Sequence, residues 1–247
     1  MKTVEYGKEN SDVIVLLHGG GLSYWNFRKE AVLLEKRFHV VLPVLDGHAE
    51  SEDAFTSIED NAERIIRYID ERFGGRVLII GGLSLGGQIA VEILSKRSDI
   101  CCYAIIESAL LVPSKTTSAM IGPSVSSSYG LISKEWFSRL QFKSLHMNDE
   151  FYEEYYRDTI AISKENMIAF MKANSEYGLK DSIRENRAKV RIVIGSRELK
   201  QIHRSADLLS DALTDSRLDI MDGYHHGEYS LNHPEDYVRD LLDMIED

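Results

Sequence analysis

The sequence predicts an α/β fold: a mostly parallel, doubly wound sheet carrying a helical cap inserted before the penultimate strand. Three observations predict it. Short, continuous apolar runs recur along the chain, as expected for strands covered on both faces. Segments with helical apolar spacing separate them, and strand–helix–strand alternation implies parallel pairing through right-handed crossovers. One stretch, residues 113–187, breaks the alternation and holds no good strand.

Taken in order, Asp12–Leu17 is the first clear strand and runs into His18-Gly19-Gly20-Gly21, a turn where only glycines allow so close a backbone approach. Further strands are expected at Phe38–Leu42, Arg76–Ile80, Cys102–Ile106, Val190–Ile194 and Arg217–Met221. Between them, Ile58, Ala62, Ile65, Ile66 and Ile69 form one face of a helix over Ile58–Arg72. Leu85–Ser95, Ala206–Leu213 and Tyr237–Ile245 read the same way. In the interrupting segment, Ser114–Gly130 is rich in Ser, Thr, Gly and Pro and reads as a loop. Helical stretches follow near Lys134–His146, Asp149–Ile162 and Lys164–Tyr177. Ten of the 22 aromatic residues fall between Tyr129 and Tyr177. They serve either to pack small helices onto the sheet or to line an apolar pocket beneath a cap. The expected organisation is a core of residues 1–112 and 188–247 with a cap over 113–187.

Composition narrows the function classes. At 247 residues the chain matches one α/β unit, and 43% apolar residues suffice for a packed core. A net charge of −11 disfavours nucleic acid and anionic membrane surfaces as partners. No apolar run approaches the ~18 residues needed to span a bilayer. The first ten residues lack the apolar stretch of a signal peptide, so a cytoplasmic location is the expectation. Cys101 and Cys102 are adjacent and sit in an apolar run, which argues against a disulfide scaffold or a cysteine metal site.

Chemistry is suggested by Gly82-Leu83-Ser84-Leu85-Gly86, which fits G-x-S-x-G. The pattern alone occurs by chance in about one chain in ten of this length. Its setting sharpens it, because a strand runs in and a helix runs out. A serine on that tight turn needs small neighbours, and the helix N-terminus favours an anion beside it. A serine hydroxyl needs a base, and the base needs an orienting acid. His225 and His226 follow the last strand in Asp222-Gly-Tyr-His-His-Gly-Glu228, where a base would be delivered. Glu198, four residues past Ile194, would be an ordinary solvated charge if it stood alone. Here it completes the order serine–acid–histidine. An oxyanion needs two backbone donors, and Gly20 and Leu85 are placed to supply them.

Together these segments resemble the α/β-hydrolase superfamily, and the resemblance spans residues 12–110 and 188–245. It is nearest to small bacterial serine hydrolases with a helical cap, of the carboxylesterase and monoacylglycerol-lipase-like group. It implies Ser84 as nucleophile, His226 as base, Glu198 as acid, and Gly20 and Leu85 N–H as the oxyanion hole. His226 matches the motif better than His225, which stays an alternative. Glu107 is a second candidate acid, because some relatives recruit the orienter from that strand. The antiparallel strands usual at the N-terminal edge should be missing or reduced.

The expected activity is hydrolysis of a carboxylic ester of a small or medium apolar acyl group through an acyl-enzyme. The alternatives are thioester or carbon–carbon hydrolysis on the same scaffold, or a non-catalytic ligand-binding relative. The expected partner is a small-molecule ester. No cofactor and no metal are expected: H-E-x-x-H, G-x-x-x-x-G-K-[ST] and G-x-G-x-x-G are all absent, and adjacent histidines such as His225 and His226 rarely share a metal with a third such as His233. Oligomeric state is not readable.

Overall fold

The computed structural model describes residues 1–246. Its seven strands are β1 Thr3–Tyr6, β2 Val13–Leu17, β3 His39–Pro43, β4 Val77–Leu83, β5 Cys101–Glu107, β6 Lys189–Gly195 and β7 Ser216–Met221. They form one sheet in the order β1-β3-β2-β4-β5-β6-β7. All pairings are parallel except β1 with β3. The N-terminal edge is thus reduced to one short antiparallel strand.

Alternation along the strands splits the core into two faces. Val15, Leu17, Val41, Ile80 and Ile106 point to one face; Ile14, Leu16, Val40, Ile79 and Ile105 point to the other. The helices before the insertion are α1 Arg28–Leu34, α2 Ile58–Phe73 and α3 Leu85–Lys96. Helix α2 starts where Ser57 Oγ accepts the Asp60 N–H at 3.0 Å and stops at Gly74, whose φ of 66° lies in the left-handed region. Its Ile58, Ala62, Ile65 and Ile69 cover the first face together with α3.

The insertion lies between β5 and β6 and is helical: α4 Lys115–Ser128, α5 Glu135–Ser144, α6 Tyr152–Ala161 and α7 Lys164–Glu176. The chain then closes with α8 Lys200–Ala212, α9 Glu228–Asn232 and α10 Pro234–Glu246. Helix α10 packs against α1 on the second face through Tyr237 and Leu241. Arg191 ties β6 to both edges of this region, with Nε 2.7 Å from Asp219 Oδ2 and Nη2 2.8 Å from Asp240 Oδ2. The Tyr229 hydroxyl donates to Asp240 at 2.6 Å, which anchors α9.

Several expectations need correction. Ser114–Gly130 is not a loop. Ser114 Oγ caps α4 by accepting the Thr117 N–H, and Ser118, Ile121 and Val125 bury one face. That spacing of three and four was hidden in a Ser/Thr-rich composition, with Pro123 inside the helix. Helix α8 begins at Lys200, six residues before the expected Ala206, because its first turn carries few apolar residues. Helices α1 and α9 escaped notice because both are short.

Candidate active site

The centre of the site is the turn from β4 into α3. Ser84 has φ 53° and ψ −111°, a strained conformation held by its N–H donating to Glu107 O at 2.8 Å. The turn is possible only with bare neighbours. A Cβ on Gly82 would lie 2.3 Å from Gly86 O, and one on Gly86 would lie 2.1 Å from Leu17 O. Backbone cannot yield to such contacts, so these two positions exclude side chains. Ser84 is partly exposed at the mouth of α3, where the helix dipole favours negative charge.

Beside it runs the turn after β2. His18 braces it: Nδ1 lies 2.8 Å from Gly19 O, and Nε2 accepts the Leu45 N–H at 3.1 Å. Those contacts define a neutral ring protonated on Nδ1. Burial lowers the His18 pKa to about 3 and that of its edge-on neighbour His48 to about 4. Asn26 Oδ1 accepts the Gly19 N–H at 3.1 Å. Gly20 is left facing the cavity, where an added Cβ would sit 3.6 Å from Leu85 Cβ. The Gly20 and Leu85 amides make no hydrogen bond among the described residues.

The acid and imidazole come from the ends of β6 and β7. Glu198 has a fully buried carboxylate, and its Oε2 lies 2.6 Å from His226 Nδ1. Oε1 accepts the Ser108 hydroxyl at 2.6 Å and the Gly195 N–H at 2.9 Å. Burial pushes the Glu198 pKa up, but the His226 hydrogen bond and charge, with Ser108 and Gly195, hold it below the usual carboxylate range. Gly195 must be bare, since a Cβ there would lie 2.2 Å from Tyr224 O in the histidine loop. Sequence reasoning missed Ser108, which sits past β5 with φ 55° and bears no motif.

The alternatives go elsewhere. His225 Nδ1 lies 3.2 Å from Glu228 Oε2, and its ring stacks on His146 of the insertion with centroids 3.6 Å apart. Glu107 is buried, and its Oε1 accepts the Ser230 N–H at 3.3 Å. His233 stacks on Tyr224. Among the described residues, no group of three or more His, Cys, Asp or Glu is arranged to hold a metal. No helix among them is long and apolar enough to cross a membrane.

Ser84, His226, Gly20 and Leu85 all line one cavity of about 420 Å³, roofed by α4–α7. Ser84 and His226 face the same cavity without a direct hydrogen bond among the described residues, and contacts between catalytic groups often tighten only around substrate. The lining contains no Asp, Glu, Lys or Arg. Of the ten insertion aromatics only Tyr155 and Phe170 reach it; Ile121, Ile132, Leu145, Met147, Met167 and Met171 supply half of the roof, and Thr117, Gln141, Thr159 and Asn174 add uncharged polar groups. Phe151 and Tyr177 fasten the roof to the core, Tyr177 by donating its hydroxyl to Glu92 at 2.9 Å. Phe151 stacks on Trp25 with centroids 5.6 Å apart, and Trp25 Nε1–H donates to Asp158 at 2.7 Å. A second fastening is Asn232, whose amide donates to His146 O at 2.7 Å and accepts the Asn148 N–H at 3.0 Å.

A protein of Gibberella zeae described as an AB hydrolase superfamily protein is 30% identical over 111 residues, 43% of this chain and 39% of that protein's length. The structure of a thermophilic esterase from Thermogutta terrifontis superposes with a TM-score of 0.79 at 15% identity, covering 99% of this chain and 92% of that one. The enol-lactonase of Burkholderia xenovorans also gives 0.79 at 15% identity, covering 100% and 96%. At such identities the likeness is one of fold. The model of the Alpha/beta hydrolase family matches residues 14–241, nearly the whole chain, and with the sheet order and the strand-to-helix turn at Ser84 it establishes that this chain belongs to the α/β-hydrolase family.

Proposed function

We propose that the protein is a serine hydrolase cleaving a carboxylic ester of a small or medium apolar acyl group. The observation that carries this is the buried Glu198 carboxylate bonded to His226 Nδ1, with the imidazole opening onto an uncharged cavity shared with Ser84. Ser84 Oγ attacks the ester carbonyl while His226 Nε2 takes its proton. Glu198 fixes the tautomer and stabilises the imidazolium. Gly20 and Leu85 N–H receive the developing oxyanion, which costs no reorganisation when the donors are already unspent. His226 returns its proton to the leaving alkoxide. Water, deprotonated by the same imidazole, then releases the acid from the acyl-enzyme.

The uncharged lining supports a neutral, apolar acyl group, since an anionic one would lose its hydration with no cation to replace it. The cavity volume suits a small molecule, within the ~300–1,000 Å³ usual for such sites. The test is a series of p-nitrophenyl esters from acetate to decanoate, with fluorophosphonate labelling. Ser84→Ala is expected to keep the fold and lose both hydrolysis and labelling. Label retained on Ser84→Ala would overturn the nucleophile. An unaltered ester series with no turnover would redirect the reading to carbon–carbon or thioester cleavage.

A further inference from the structure

The reaction proposed above uses the floor of the cavity and leaves the polar groups of its roof without a task. Those groups are the side chains of Thr117, Gln141, Thr159 and Asn174, together with the Tyr155 hydroxyl. Some are already served. The Thr117 hydroxyl is bonded to Ser114 Oγ at 2.8 Å. Asn174 is held by Gln88, a fully buried residue in the first turn of α3. Gln88 Oε1 accepts the Asn174 side-chain N–H at 2.8 Å, and its own amide donates to Leu110 O and Asn174 O. Gln141 is half-buried, so water can reach it. Tyr155 differs. It is 6% exposed, and its hydroxyl makes no hydrogen bond among the described residues. Thr159 Oγ1 lies beside it, one helical turn on, and the two do not meet in hydrogen-bond geometry. A buried tyrosine hydroxyl normally has a partner, and going without one costs stability. The ring is packed against Phe142 with centroids 5.3 Å apart, which fixes where the hydroxyl sits.

We propose that Tyr155 is a specificity-determining residue whose hydroxyl donates to a neutral oxygen, a ketone or an ether, carried on the acyl chain of an otherwise apolar ester. The inference rests on the ester-hydrolase reading and narrows its substrate. The oxygen is neutral because the lining holds no Lys or Arg to receive an anion. It is an acceptor because one donor then satisfies it, whereas a hydroxyl would bring a proton of its own to be matched. The phenol is able to donate: burial raises its pKa further above the usual phenol range, so it keeps its proton at neutral pH. A plain alkyl chain leaves the Tyr155 hydroxyl as unmet as it is in the free protein, and a chain with its oxygen in the wrong place leaves two groups unmet. Discrimination of this kind, by a polar group that the wrong ligand strands, is stronger than discrimination by apolar fit.

The test is a set of p-nitrophenyl octanoates in which one chain methylene after another is replaced by an ether oxygen, starting far enough from the carbonyl to leave the ester's reactivity unchanged. Wild type should keep KM at or below that of octanoate for one position of the oxygen. At the other positions KM should rise about five- to tenfold, because the ether is stripped of water and finds no donor. Tyr155→Phe should remove the exception: KM for the matched ester rises about fivefold or more, while KM for octanoate and kcat for both esters stay within about twofold. Its melting temperature should be unchanged or higher, since no bond within the protein is lost. A wild-type KM that rises at every position, or a matched ester indifferent to Tyr155→Phe, would overturn the proposal. So would a melting temperature several degrees lower in Tyr155→Phe, which would make the hydroxyl a structural group. The same esters titrated calorimetrically into Ser84→Ala report the subsite without turnover. Hydrolysis of octanoate with no preferred oxygen position defeats the subsite and leaves the reaction standing. No hydrolysis by wild type, with the preferred position still seen in binding to Ser84→Ala, defeats the reaction and leaves the subsite.

Discussion

The floor and the roof of the cavity are built on opposite plans. The floor is the rim of the sheet, where each working group is held by several fixed bonds: three on the Glu198 carboxylate, two on the His18 ring, and a backbone bond on strained Ser84. The roof has no charge over the cavity and meets it with Leu, Ile and Met side chains, two aromatic rings and four uncharged polar groups. Fixed donors cannot follow a change of substrate, whereas the flexible chains of Met147, Met167 and Met171 can repack. On the reaction proposed above, the floor sets which bond breaks and the roof sets which acyl group is admitted.

Substitutions can break that division or sharpen it. The largest effect expected on the proposed reaction belongs to Ser84→Ala, with loss of turnover on the order of 10⁶-fold and an unchanged melting temperature. Glu198→Gln comes next. An amide cannot hold the same imidazole tautomer, so kcat should fall on the order of 10⁴-fold while KM changes little. A drop of less than about tenfold would show that the acid is misassigned and that the floor is less specialised than drawn.

Acid should weaken the floor before the roof. His18 and His48 are neutral when folded, with pKa about 3 and about 4 against an ordinary value of 6.5. The unfolded chain binds these protons more readily, so their stabilisation is complete above pH 6.5 and is lost as pH falls toward 4 and 3. Chemical denaturation from pH 7 to pH 4 should show a loss of several kcal/mol, and His18→Gln should flatten that slope. A slope unaffected by His18→Gln would move the acid-sensitive groups elsewhere.

The smallest effect should lie in the roof. Thr159 is buried in the cavity wall with its Oγ1 unpartnered. Thr159→Val replaces that buried hydroxyl with a methyl of the same shape, worth about 1 kcal/mol at most. KM for octanoyl esters should change by no more than about fivefold, with kcat unchanged. A kcat change of tenfold or more would show that roof and floor are not separate.

The same division explains what could be read from the sequence. The strand runs, their parallel order and the place of the insertion follow from apolar patterning. The residues that the structure gathers on the floor, Ser84, Glu198, His226, Gly20 and Leu85, were nameable because that chemistry demands particular types at strand ends. Ser108 was invisible, since a serine supporting an acid has no pattern of its own. The choice between Glu107 and Glu198 turns on how many donors each carboxyl meets, which no spacing encodes. Helix α4 lay concealed in residues that favour loops. Aromatic enrichment left packing and pocket lining both open: Tyr155 and Phe170 line the cavity, while Phe151 stacks on Trp25.

Asn232 lies six residues after His226, at the end of the short helix that follows the imidazole, and it grips both His146 O and Asn148 N–H. The same five-residue helix is therefore both latch and lever. On the reaction proposed above, a displacement of the insertion at that corner would pass through Asn232 to the segment that carries the ring.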